Sequence, residues 1–497
     1  MAGHKWDDFN VLTLDGGGVR GLSTCIILQV LMQFVNEAVD PAYHNNIPLV
    51  PKDIFDLVVG TSTGGLIALM LVKFGYNVSQ CIELYKLLSQ QIFGYAQFWG
   101  TMTLGLRWPK YSGNHMRKVI VDEVIMKAPN VLHQDAEYEL ENILTHQDFC
   151  CAVVCHDENS GDPVFLCSHR DELDAAQMCA HKCRHHRQPE TRVKVADAAR
   201  ATSAAPTYFD SIKLIGKVLI DGGFGLTNNP SKATWDHYFQ KNHKIYGNIQ
   251  FVNIGTGSKP RGWKEPEPSP SWRHRFRSTL IRNFKTLFAR LQELATESDN
   301  VGGTMKSMAL LGPMLTFDRF SADTGNIHSI QLFEFERNQE IENATRDYIE
   351  TGEIENTDGT TTKVRDALRN TARRLAETYM KRVEDGRRIR PVAASFQPEI
   401  SILSSDLEER LLDPTSRDSL EATTNPTPPE NTREPLPSPS PSPSPLSQPP
   451  SSRPSQPPDK PQTNLNSSTF SGVAMHFNIH DEPLPQPPAA PPTATAR

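Results

Sequence analysis

The residues most suited to chemistry lie in Gly60-Thr61-Ser62-Thr63-Gly64-Gly65. The apolar run Ile54–Val59 precedes them and the apolar, helix-forming stretch Thr63–Val72 follows. Strand, glycine-bracketed serine, helix is the order that a strained turn needs to present a serine hydroxyl as a nucleophile. Gly60 and Gly64 leave space where side chains would collide across a sharp turn. The following helix aims its N-terminus and free N–H groups at the reaction centre, which favours developing negative charge. The chemistry on offer is acyl transfer through serine.

Two more glycine clusters close apolar runs. Asp15-Gly16-Gly17-Gly18-Val19-Arg20-Gly21 follows Val11–Leu14, and Asp221-Gly222-Gly223 follows Val218–Ile220. Residues 16–21 fit G-x-G-x-x-G, which has two readings. A dinucleotide fingerprint requires an acid about 20 positions on, at the end of a second strand. Glu37 and Asp40 lie near that distance but in or just after a helical segment, and Pro41 follows. The other reading is an oxyanion hole: consecutive glycines let backbone N–H groups approach a tetrahedral intermediate, with Arg20 adding positive charge. An isolated Asp-Gly-Gly is usually only a turn. At a strand end of the same sheet, Asp221 becomes a candidate site residue.

These motifs need a frame. Val11–Leu14, Ile54–Val59, Val218–Ile220 and Ile249–Ile254 read as strands ending in glycine turns, and Cys151–Cys155 with Val164–Cys167 as a hairpin around Asp157–Asp162. Leu22–Val35 has helical apolar spacing. Strands alternating with helices predict an α/β sheet covered on both faces. Ligands in such sheets sit outside the carboxyl ends of the strands, where all three motifs would converge.

The ordered set DGGGVRGL, GTSTGG and DGG resembles the patatin-like phospholipase family, as does Arg200-Ala-Thr-Ser-Ala-Ala-Pro-Thr-Tyr-Phe209. The resemblance covers roughly residues 10–257 and implies a three-layer α/β/α sandwich. It implies a Ser62–Asp221 dyad, an oxyanion hole at Gly16, Gly17, Gly18 and Arg20, and motif glycines at Gly21, Gly60, Gly64, Gly222 and Gly223. It also implies hydrolysis of acyl esters in phospholipids or related lipids, with no metal or organic cofactor. An aspartate at its ordinary pKa of about 3.9 is a weak base, so burial in the cleft is expected to raise it. A Ser-His-Asp esterase is the catalytic rival, with His237 and His243 as the histidines after Asp221. A non-catalytic module of the same fold in a signalling or scaffold protein is the other.

The rest of the 497 residues sets bounds. Net charge is −7 and nothing global suggests nucleic-acid binding. The N-terminus carries no secretory signal pattern and the eight cysteines no disulfide framework, so a cytoplasmic protein, peripheral at membranes, is expected. Cys179, Cys183, His185 and His186 match no standard zinc spacing, and ordinary thiols in a basic loop are expected there. Three regions follow from composition: an acyl-hydrolase domain over 9–257, a mainly helical extension over 258–412, and a tail over 413–497. From Pro414 on, the chain holds 22 of its 38 prolines, much of it Pro-Ser repeats. That tail is expected to be disordered. Trp272–Leu294 carries large apolar residues at helical spacing with interleaved basic residues. It is a candidate docking helix for transient contact with a membrane, or a helix packed on the core.

Overall fold

The computed structural model describes residues 6–94, 110–128, 150–168, 193–225, 227–240, 246–259, 298–355 and 360–386. The chain divides into two units, Met1–Ala422 and Thr423–Arg497, and every described residue belongs to the first. Trp272–Leu294, the cluster from Cys179 to His186, His243 and the Pro/Ser-rich tail lie outside the described residues.

Eight strands form one mixed sheet. They are β1 (Trp6–Leu14), β2 (Leu57–Thr61), β3 (Cys150–Asp157), β4 (Pro163–Cys167), β5 (Ile212–Leu214), β6 (Lys217–Asp221), β7 (Tyr246–Ile254) and β8 (Leu315–Phe320). The order is β5-β6-β3-β2-β1-β7-β8, with β4 beside β3. Strands β1, β2, β3, β7 and β8 run parallel, whereas β4 and β6 run antiparallel to β3.

Alternation along the central strands divides the core in two. Phe9, Val11, Leu57, Val59, Ala152, Val154, Ile249 and Phe251 face one side; Leu12, Leu14, Val58, Val153, Cys155, Val252 and Ile254 face the other. Both faces are apolar, as expected of strands covered on both sides. The second face carries most of the helices: α1 (Gly21–Ala38), α2 (Thr63–Val72), α3 (Val78–Phe93) and α4 (Val195–Thr202). The first is covered by 231–239 and by helix α5, described over 298–311. The result is an α/β fold with helices on both sheet faces. By length and composition α1, with the turn before it, could cross a bilayer, but 83% of that apolar window is buried inside the fold.

Two elements depart from the sequence reading. Strand β2 starts at Leu57 because Pro51–Ile54 forms a helical turn, with proline at its start and Asp53 accepting the Val50 N–H at 2.8 Å. The stretch beyond 257 supplies more than helices. Its strand β8 pairs parallel to β7, and α6 (Asn338–Thr351) and α7 (Val364–Glu384) pack on α1. Asp318 and Arg319 interrupt the apolar pattern of β8 and hide it from a periodicity reading.

Candidate active site

Strand β3 brings the nucleophile and the base together. Along β3, β4 pairs with Ala152–His156, so β2 and β6 must share the other edge. Strand β2 runs up that edge until Thr61 stands opposite Val154. Strand β6 runs down it from the opposite direction until Asp221 stands opposite Cys155. The strands therefore meet end to end, with Ser62 leaving one and Asp221 ending the other. A Cβ on Gly222 would lie 2.6 Å from the Val154 carbonyl and 3.1 Å from Thr61 Cγ2, which shows how closely the ends approach. The motifs do converge on one sheet edge, but Asp221 arrives on an antiparallel strand.

Ser62 has φ 54° and ψ −124°, a left-handed backbone that non-glycine residues rarely adopt. A Cβ at position 60 would sit 2.1 Å from the Gly64 carbonyl oxygen. One at position 64 would sit 2.3 Å from the carbonyl oxygen of Leu14, so Gly64 also lets the helix start against the end of β1. The Ser62 N–H donates to Thr202 Oγ at 2.9 Å, and that hydroxyl donates to the Val154 carbonyl at 2.7 Å. Thr202 is fully buried and closes the gap where the β2–β3 ladder stops. Two residues later the Ala204 carbonyl accepts the Asp221 N–H at 3.0 Å. Residues 202–204 thus fasten the backbones of both candidate catalytic residues.

The Asp221 side chain is buried; it accepts hydrogen bonds from the Ser62 side chain and, at 2.8 Å, from the Gly223 N–H. Burial pushes its pKa up to about 7, against the opposing pull of those two donors. A carboxylate with that pKa is a competent base near neutral pH.

The glycine loop offers fewer donors than its sequence suggests. The Gly16 N–H donates to the Asn228 carbonyl at 3.0 Å, and the Gly17 N–H to Thr63 Oγ at 3.2 Å. The Val19 N–H is taken by the Leu332 carbonyl at 2.9 Å. Among the described residues the Gly18 N–H has no acceptor, and Gly18 lines the cleft with Ser62. Arg20 is buried behind the loop and donates to the carbonyls of Gly17 and His328, each at 3.4 Å. Burial lowers its pKa to about 10, opposed by Tyr85, so it stays cationic at neutral pH. Its bonds hold the Gly17 carbonyl, whose peptide carries the Gly18 N–H. The Tyr85 hydroxyl donates to the Gly18 carbonyl. Gly21 lies against that hydroxyl, and Gly223 against Asn228 and Asp221.

Asp15 anchors this loop to strands that close the sheet. It accepts from Arg319 of β8 at 2.7 Å and from Asn253 of β7 at 2.8 Å, and Arg319 also pairs with Asp299 at 2.9 Å. Asn228 donates to the Gly16 carbonyl at 3.2 Å and to Ser298 at 2.8 Å. The sequence reading missed Thr202, Asn228, Asn253 and Arg319 as supports. Only Thr202 carried a signal, as part of the 200–209 stretch.

An open cleft lies beside Ser62 and Asp221, with about 570 Å³ of empty space that includes its solvent-filled mouth. Leu66, Leu88, Ile92, Phe93, Met116 and Phe209 give it an apolar wall. Among the described residues no histidine lines it. His237 is half-buried and stacks on Phe165, a core residue of the other sheet face, with ring centroids 4.3 Å apart. His156, opposite Ile220 in register, places its ring nitrogens 2.9 Å from the Gly161 carbonyl and 3.0 Å from Thr227 Oγ. The acids that a dinucleotide site would need are used locally: Glu37 accepts from Gln33, and Asp40 caps the turn at Ala42. Among the described residues no group of three histidine, cysteine or carboxylate side chains could hold a metal.

Comparison with known proteins agrees with this geometry. Residues 12–235 match the patatin-like phospholipase family profile. The chain is 27% identical over 268 residues to a cGAMP-activated phospholipase of Vibrio cholerae, covering 51% of this chain and 65% of that protein. It is 27% identical over 229 residues to the mouse calcium-independent phospholipase A2-gamma, covering 46% of this chain and 26% of that protein. The match thus spans less than two thirds of either relative. The crystal structure of VipD from Legionella pneumophila aligns over 84% of this chain and 81% of that one, at 10% identity and a TM-score of 0.26, too low to carry any part of the argument. With a family profile, enzyme relatives and a glycine-bracketed serine at a strand end, residues 12–235 of this chain are similar to the patatin-like phospholipase family.

Proposed function

We propose that this protein is a serine lipid acyl hydrolase that cleaves fatty-acyl ester bonds of phospholipids or related lipids. The observation that carries this reading is the strained Ser62 hydrogen-bonded to a buried Asp221 of pKa about 7, beside a cleft with an apolar wall that no histidine lines among the described residues. Asp221 accepts the Ser62 hydroxyl proton as Oγ attacks the ester carbonyl. The Gly18 N–H, at the mouth of α2, stabilises the oxyanion. Collapse breaks the bond to the alcohol, which takes the proton back from Asp221 and leaves an acyl-serine. Water then repeats the sequence in reverse and releases the fatty acid. The apolar wall holds the acyl chain, each buried methylene contributing about 0.8 kcal/mol.

On this reading the enzyme works at a lipid surface from the cytoplasmic side. The six described cysteines are buried and in the thiol form, which suits a reducing compartment. Trp272–Leu294 remains the proposed contact with the membrane. The test is turnover of a phospholipid and of a short-chain nitrophenyl ester by the wild type, Ser62→Ala and Asp221→Asn. Both variants should fold and fall to background. Substantial residual turnover in Ser62→Ala would place the nucleophile elsewhere.

A further inference from the structure

Ser203 sits between the two tethers of the site. Thr202 before it holds the Ser62 backbone, and Ala204 after it holds the Asp221 backbone. Ser203 lines the cleft and is 5% exposed; its hydroxyl oxygen is buried and has no hydrogen-bond partner among the described residues. Buried hydroxyls are normally satisfied, and leaving one unpaired is costly. Three other cleft hydroxyls are engaged: Thr63 accepts from Gly17, Tyr85 donates to the Gly18 carbonyl and Ser89 donates to the Tyr85 carbonyl.

We propose that Ser203 binds the alcohol half of the substrate, donating its hydroxyl to an oxygen of a glycerol-type leaving group. This rests on the acyl-hydrolase reading and adds a specificity residue to it. The argument is one of sides. The acyl chain belongs against the apolar wall and the carbonyl oxygen against the Gly18 N–H. Asp221 must return its proton to the departing alcohol, so that half of the ester lies on the Asp221 side, where the 202–204 segment runs. Ser203 supplies there a buried hydroxyl that no described residue engages, beside the apolar wall of the cleft. Sites that bury a few polar groups among apolar walls use them to fix orientation. A substrate that lacks the matching oxygen leaves such a group unpaired and gains nothing from it.

Ser203→Ala separates this role from a structural one. The assay compares kcat/KM on a diacyl glycerophospholipid with that on a nitrophenyl ester of the same acyl chain, for wild type and variant. The phospholipid value should fall about tenfold, the scale of one hydrogen bond, while the nitrophenyl value changes less than about twofold. The melting temperature should stay the same or rise, because the substitution removes an unsatisfied buried hydroxyl. Equal losses on both substrates, no loss on either, or a clear drop in melting temperature would each overturn the proposal. A wild type without Ser62-dependent turnover of either ester would instead remove the acyl-hydrolase reading on which it rests.

Discussion

Asp221→Asn should abolish turnover yet stabilise the fold, and the gain should grow with pH. Burial lifts the Asp221 carboxyl from 3.8 to about 7, despite the bonds from Ser62 and Gly223. With the folded pKa above the unfolded one, protonation favours the folded chain. The group's contribution is complete below the unfolded value and is lost as pH rises through the folded one. At about 1.4 kcal/mol per tenfold, ionising this carboxyl removes roughly 2–3 kcal/mol of stability between pH 5 and pH 8. Asparagine does not titrate, so the variant avoids that loss. Urea unfolding of both proteins at pH 5 and pH 8 measures it. Any pH-independent cost of the substitution, such as an altered bond to Ser62, cancels in the comparison. The variant's advantage should be about 2–3 kcal/mol larger at pH 8. The same difference at both pH values would refute the claim that a buried, reluctantly ionised carboxyl lies at this position.

The remaining predictions concern rate and support. The kcat/KM of the wild type should rise with pH and level off above an apparent pKa of about 7, since only ionised Asp221 accepts the proton; a flat profile from pH 5 to pH 8 contradicts this. Thr202→Val keeps the side-chain shape but strands the Ser62 N–H and the Val154 carbonyl. It should cost about 1–3 kcal/mol of stability and lower kcat more than it changes KM, and Thr202→Ser should restore both. Arg319→Met leaves Asp15 buried without its cation and should cost about 3–5 kcal/mol by denaturation; adding Asp15→Asn should recover part of that. His237→Ala should keep most of the esterase activity, because the ring stacks on Phe165 away from the cleft; a large loss of kcat with intact folding would favour a histidine base.

What the sequence made legible was local. The helix Thr63–Val72 starts and ends where its apolar run does, and the two apolar runs around Asp157–Asp162 pair as a hairpin, as expected. The Ser62 turn could be read because Gly60 answers a constraint from Gly64, a near neighbour in the chain. What depended on long-range pairing was not legible. That β6 meets β2 head-on along β3 follows from the register of three strands that lie far apart in sequence. Three glycines in a row suggest three donors, but Asn228 and Thr63, distant in sequence, engage two of them. Strand β8 escaped notice because Arg319 spends its charge on Asp15, across 304 residues.

Labelling with a fluorophosphonate probe, followed by mapping of the modified peptide, tests the central claim most directly, because the probe reacts only with an activated serine. At neutral pH the wild type should carry a single phosphonyl group on Ser62. Asp221→Asn should label far more slowly and Ser62→Ala not at all. Modification of another serine, or equal labelling of Ser62 in wild type and Asp221→Asn, would contradict the account.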